Sequence, residues 1–139
     1  MGRILAFDYG KKKIGVAVTD PLQIIANGLD TVPSAQIYIF LKTYLEKETV
    51  DAFVVGHATK DSGEDSESMK QIRPFVRSLE NKYPHIPVYM VDERYTSKMA
   101  FQTMIDAGLS RKKRQNKMLV DKISATIILQ AYLEEKKRF

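Results

Sequence analysis

Three acidic positions stand where an ionisable side chain is costly. Asp8 closes the apolar run Ile4-Leu5-Ala6-Phe7 and is followed by Tyr9-Gly10. Asp92-Glu93 closes a second apolar run, Val88 to Val91. Asp121 shares a helical face with Ser124, Ala125, Ile128 and Tyr132, a face that is otherwise nearly free of charge. Each has a plain structural alternative: Asp8 and Asp92 can cap their own turns, and Asp121 is early enough in its helix to be favoured by the positive end. A carboxylate on so apolar a face is nevertheless expensive unless paired or bound to a cation. Two strand ends and a helix beside the sheet are better explained by one metal site than by three separate accidents. Hard oxygen ligands of this kind hold Mg²⁺ or Mn²⁺, and phosphodiester hydrolysis needs an aligned water and stabilised charge on the phosphate oxygens.

Composition narrows the chemistry further. The chain has no cysteine, which excludes disulfides, thiolate catalysis and cysteine-ligated zinc. Two isolated histidines, His57 and His85, make a poor zinc site. The 139 residues predict one domain spanning the whole chain. Met1 to Leu5 run straight into a strand pattern, so no signal peptide is expected, and no apolar run approaches membrane-spanning length. A soluble cytoplasmic protein, without membrane association, is the expectation. The formal net charge is +5, and its distribution says more than its size. Residues 111–139 hold nine basic and three acidic side chains, whereas the rest of the chain is close to neutral. An excess of this kind attracts phosphate polymers through a long-range, salt-sensitive force. Arg111, Lys112, Lys113, Arg114 and Lys117 precede the helix of Asp121, and Arg94 and Lys98 follow the other acidic element; these seven are the expected phosphate track.

Local residue patterns indicate the strands and helices that carry these groups. Ile4 to Phe7 and Ile14 to Thr19 are two strands joined by a tight turn, Tyr9-Gly10-Lys11-Lys12-Lys13, with Gly10 suited to a backbone conformation closed to other residues. A third strand is expected across Ile24 to Val32, completing an antiparallel meander. The pattern then alternates. Pro33-Ser34 opens a helix to about Glu48, with Ile37, Phe40, Leu41, Tyr44 and Leu45 on one face. Ala52 to Val55 is a short apolar strand of the kind covered on both sides. Gly56 to Ser66 reads as a mobile loop bordering the site, with Ser62 or His57 available for sugar-phosphate contacts. A helix about Glu67 to Asn81 turns Ile72, Phe75, Val76 and Leu79 inward, with Pro74 inside it. Tyr83 to Pro87 is a turn before the strand Val88 to Val91. Thr96 or Ser97 caps a helix ended by Gly108, and a last helix runs from about Lys117 to Glu135, its centre apolar all round. This order describes an α/β fold: a five-stranded mixed sheet, three meander strands followed by alternating helix and strand, with helices on both faces.

The residues also carry a resemblance. Phe7-Asp8-Tyr9-Gly10, Ile14 to Asp20, Val54-Val55-Gly56, Asp92 to Ser97, Asp121 to Ala125, Ile128-Leu129-Gln130 and Tyr132-Leu133 together resemble the YqgF/RuvX family over essentially the whole chain. That resemblance implies an RNase H-like fold related to the RuvC-type resolvases, with catalytic Asp8, Asp92, Glu93 and Asp121. Glu93 is preferred over Asp92 as a metal ligand beside Asp8 and Asp121. It also implies a cytoplasmic nuclease that trims the 5′ end of precursor 16S rRNA in ribosome biogenesis. Branched DNA, with Holliday junction resolution by a homodimer rather than a monomer, and a non-catalytic RNA-binding assembly role are the competing functions. Two departures stand out. Gly56-His57-Ala58 replaces the family's frequent Gly-Leu-Pro, and the loop after it is more acidic, with Asp61, Glu64, Asp65 and Glu67. Ser124 stands where RuvC-type resolvases place a second helix aspartate, which puts the second of two metals in question.

Overall fold

The apolar run after Arg3 becomes the centre of a sheet. The structure, a computed structural model, describes residues 2–57, 69–92 and 117–138; at His57, Asp92, 117–123, 135, 137 and 138 the description is of the backbone. Strand β1 (Arg3–Tyr9) turns into β2 (Lys13–Thr19), which turns into β3 (Ala26–Pro33). A 3₁₀ turn, Ser34–Gln36, leads into helix α1 (Ile37–Lys47). Strand β4 (Val50–His57), helix α2 (Met69–Lys82), strand β5 (Val88–Asp92) and helix α3 (Lys117–Arg138) complete the described elements. The strands form one sheet in the order β3-β2-β1-β4-β5. The first three are an antiparallel meander, and β4 and β5 join β1 in parallel. The expected architecture is therefore observed, with small shifts at its boundaries. The helix predicted to open at Ser34 begins with the tighter 3₁₀ turn, and α2 continues through Pro74, forgoing one intrahelical hydrogen bond there. The loop expected from Gly56 to Ser66 begins later than its sequence suggested, because Gly56 and His57 still pair with β5 as the end of β4; the rest of it, and the predicted helix between Thr96 and Gly108, lie outside the described residues.

Strand alternation divides the core in two. Leu5 and Phe7, with Ile14, Val16, Phe53 and Val55, face α1 and α2. Ile4 and Ala6, with Ala17, Ala52, Val54 and Val91, face α3 and its Ala125, Ile128, Leu129 and Leu133. The first layer is the bulkier. Phe7 is fully buried and lies 5.7 Å, centroid to centroid, from both Phe53 and Phe75. Truncating it removes a ring that neighbours on two other elements cannot collapse around. Phe7→Ala is expected to cost about 3–5 kcal/mol, read as a lower urea midpoint at unchanged m-value.

The direction of α3 is set at the opposite end of the sheet. Lys136 Nζ donates to Gln23 Oε1 at 2.7 Å, and Gln23 Nε2 donates to the Gly2 carbonyl at 2.7 Å and to Asp51 Oδ2 at 3.0 Å. Gln23 holds this position with a left-handed backbone, φ 60°. The loop around it is built on Asp20. Backbone N–H groups of Ile25 and Ile24, each at 2.8 Å, and of Leu22 at 3.2 Å donate to its carboxylate, and these bonds hold its pKa below the usual value. A depressed carboxylate contributes stability above its unfolded-state pKa and loses it as pH falls through the folded value. Asp20→Asn should therefore flatten the acid limb of a stability–pH profile; an unchanged limb would contradict this assignment.

Candidate active site at the strand-exit edge

Because β1, β4 and β5 are parallel, their C-terminal ends emerge along one edge of the sheet. Asp8 is the penultimate residue of β1, half-buried, and the first polar position after four buried ones. At the end of β4, His57 pairs in register with Asp92, the last residue of β5. Lys136 ties the end of α3 to the entry edge, so α3 runs against β1 and begins at the exit edge. Asp121, in its second turn, stands about 22 Å up the helix from Lys136. Asp8 stands about 20 Å up the strand from Gly2. Asp8 also has the even-numbered parity of Ile4 and Ala6, which gives it the α3 face of the sheet. The backbone positions of Asp8, Asp92 and Asp121 therefore lie toward the same end of the sheet. Glu93, Arg94, Lys98 and Arg111 to Arg114 lie outside the described residues, and Lys117 is the first residue of α3.

The sheet positions beside Asp8 are both glycines. Its register partner on β2 is Gly15, and on β4 the residue following Val55, the partner of Phe7, is Gly56; both glycines are buried. A strand glycine leaves a gap where a neighbour would project a side chain, and it often marks close approach of a ligand or backbone. These two positions were not singled out from sequence. Each is a glycine inside an otherwise β-branched or apolar strand, the signal that could have found them. Ser124 is buried on α3 beside Ala125. Among the described residues no three histidine, cysteine or carboxylate side chains form a metal-binding group; of the predicted ligands, only Asp8 has a described side chain. No helix is long and apolar enough to cross a membrane, among the described residues.

The turn beyond Asp8 is tightly fixed. Ser34 Oγ donates to the Gly10 carbonyl at 2.7 Å, and Ser34 N–H donates to the Lys12 carbonyl at 2.9 Å. A Cβ on Gly10 would stand 2.4 Å from the Lys13 carbonyl oxygen. The left-handed conformation expected of Gly10 is not what the turn uses; the need for glycine is close approach of the backbone.

A five-stranded mixed sheet in the order β3-β2-β1-β4-β5, covered by helices on both faces, gives the molecule an RNase H-like fold. It has the fold of Thermus thermophilus RuvC, solved in complex with a Holliday junction substrate, with a TM-score of 0.59 at 15% identity over 96% of this chain and 97% of that one. Residues 2–135 match the family model described as RuvX: Holliday junction resolvase, and the chain belongs to that family. It is 61% identical over 137 residues to a protein of Phocaeicola vulgatus named "Putative pre-16S rRNA nuclease", covering 99% of both chains. Proteins of the same name from Flavobacterium johnsoniae and Porphyromonas gingivalis are 54% and 51% identical, with 99% of this chain covered in each case and 99% and 100% of theirs.

The geometry of the turn makes Gly10→Ala a sharp test of the edge. The added methyl forces the Lys13 carbonyl away, and the expected loss is about 1–3 kcal/mol of stability by urea denaturation. An unchanged midpoint would mean that the turn is not held as described.

Proposed function

We propose that this protein is a divalent-metal-dependent nuclease that hydrolyses phosphodiester bonds at the 5′ end of precursor 16S rRNA, acting as a cytoplasmic single-domain enzyme of ribosome biogenesis. The observation that carries this reading is Asp8, the first polar residue after the four buried residues of a strand covered on both faces, lying between two glycines at the edge where α3 begins. The name carried by relatives that are more than half identical along nearly the whole chain supports the substrate.

The donor set fits a hard cation. Asp8, Glu93 and Asp121 supply carboxylate oxygens, the ligands that Mg²⁺ and Mn²⁺ prefer. The choice of Glu93 over Asp92 rests on parity: Val91 belongs to the α3 face, Tyr89 stacks on Tyr132 of α3, and position 93 continues that odd-numbered series. Asp92 has the other parity and serves the site by fixing the strand end. Ser124 offers a neutral hydroxyl in place of a further carboxylate, which favours one strongly held ion over two. When bound, the cation supplies positive charge to the phosphate oxygens as negative charge builds there. The protein's own contribution is to hold carboxylates on rigid elements, to keep the sheet positions on either side of Asp8 as glycines, and to seat the substrate backbone. Arg94, Lys98, Arg111, Lys112, Lys113, Arg114 and Lys117 are assigned that last role, which positions the substrate without reading its sequence.

Branched DNA is the second reading, favoured by the family's own description. The experiment compares cleavage of precursor 16S rRNA with that of a four-way DNA junction, in Mg²⁺, in Mn²⁺ and in EDTA. Metal-dependent cleavage of the RNA alone is the expected outcome. Cleavage of the junction alone would select the second reading, and binding of RNA without cleavage under any metal would make the protein an assembly factor. Asp8→Asn and Glu93→Gln are each expected to slow cleavage at least about a hundredfold, the equivalent of about 3 kcal/mol of lost transition-state stabilisation. Asp92→Asn should be much milder. Equal losses at positions 92 and 93 would remove the parity argument.

A further inference from the structure

We infer that the turn Lys11-Lys12-Lys13 is a binding site for nucleic-acid phosphates, built to seat the substrate backbone beside Asp8. The turn belongs to the same sheet edge as Asp8 but to a different part of the chain from the basic segment that precedes α3. All three lysines are exposed, and none has an ion-pair partner among the described residues. Three adjacent like charges repel one another, and a polyanion relieves that repulsion.

Charge alone would describe any solvated turn; the backbone distinguishes this one. Ser34 binds the carbonyls on either side of Lys11, through its hydroxyl to Gly10 and through its N–H to Lys12. Gly10 lets the Lys13 carbonyl approach more closely than any side chain would allow. Lysines that served solubility alone would gain nothing from a fixed backbone, whereas a phosphate seat does, because less freedom is lost when the anion binds.

Placement supplies the second argument. Lys13 has the parity of Gly15 and Ala17, and Ala17 packs in the α3-side core, so Lys13 begins β2 on the same sheet face as Asp8. The register partner of Asp8 is Gly15, two residues beyond Lys13 on the same strand. Asp8 and Lys13 are therefore diagonal neighbours, with backbones about 7–8 Å apart. Gly15, directly across from Asp8, projects no side chain from β2, so none on that strand stands between the lysine and a phosphate seated along this edge. Lys11 and Lys12 continue outward from there at the tip of the turn. Ammonium groups act as point charges and tolerate any phosphate orientation, so the ligand class is a phosphodiester backbone read without sequence preference. The phosphate site stands on these observations alone; its service to cleavage rests on the reading of Asp8 given above.

The test measures binding of a short fluorescein-labelled oligoribonucleotide, and of DNA of the same sequence, by anisotropy across a salt titration in EDTA. The triple charge reversal K11E/K12E/K13E is expected to raise Kd at least about tenfold near 0.1 M salt and to lower the salt slope by about 2, from about 0.7 per phosphate contact on a single strand. The losses should be equal for RNA and DNA, since the phosphates are shared; a loss confined to RNA would overturn the backbone-only assignment. K11Q/K12Q/K13Q, which adds no negative charge to the turn, is expected to give the same change in slope with a smaller rise in Kd. Ser34→Ala keeps every charge, and it should weaken binding several-fold at an unchanged slope. Parental affinity in Ser34→Ala would overturn the clamp. Parental slopes in the glutamine variant, with an unchanged thermal midpoint, would overturn the site. Cleavage retained by Asp8→Asn would overturn the catalytic reading instead and leave the lysine site standing.

Discussion

The structure depends on β1 being enclosed on all four sides. Its two edges are hydrogen-bonded, to β2 in one direction and to β4 in the other, and its two faces are covered by α1 and α2 on one side and α3 on the other. Ile4, Leu5, Ala6 and Phe7 are each at most 1% exposed. A strand enclosed in this way tolerates no polar side chain along its length, because nothing there could solvate one. The first place where a carboxylate can stand is the exit, and Asp8 occupies it. The position of the acidic edge is thus a consequence of how the core is closed.

The two faces are closed differently, and the difference matters for the site. The α1/α2 face is filled by large side chains, with Phe7 in ring contact with both Phe53 and Phe75. The α3 face carries Ala6, Ala17 and Ala52 on the sheet against Ala125 on the helix, with Gly15 at the exit end. Small residues allow a helix axis to approach more closely. A long helix laid close against the sheet, and pinned at its far end by Lys136 and Gln23, brings its first turns to the edge where Asp8 emerges. Bulky packing on one side supplies stability. Lean packing on the other lets two distant parts of the sequence, the end of β1 and the start of α3, lie at the same edge.

Electrostatics at this edge combine opposite signs on neighbouring elements. The turn after Asp8 is wholly basic, and the segment before α3 is strongly basic in sequence, while the strand ends and the helix carry carboxylates. Cationic groups near a carboxylate cluster reduce the cost of gathering like charges, and they attract the phosphate polymer from a distance. Groups of both signs are therefore carried on neighbouring elements toward one end of the sheet.

Much of this was legible in the sequence, for a definite reason. Hydrophobic periodicity reports which side of an element is buried, so the strands around Phe7, Val16, Phe53 and Val91 and the helix around Ile128 could be read directly. Asp8, Asp92 and Asp121 stood out because each breaks such a pattern. Periodicity carries no information about which strands are neighbours or which way a helix runs, since those depend on contacts between residues far apart in the chain. Gly15 and Gly56 acquire meaning only from the registers that set them on either side of Asp8, and Lys13 only from its diagonal relation to that residue. Gly10 was read as a matter of backbone conformation, whereas folding made it a matter of space, because the Lys13 carbonyl returns across it. Local residue patterns were enough to place the described strands and helices, the core and the residues capable of chemistry. Which of those residues share an edge followed from sheet order and helix direction, because both are set by long-range pairing and packing that local patterns do not encode.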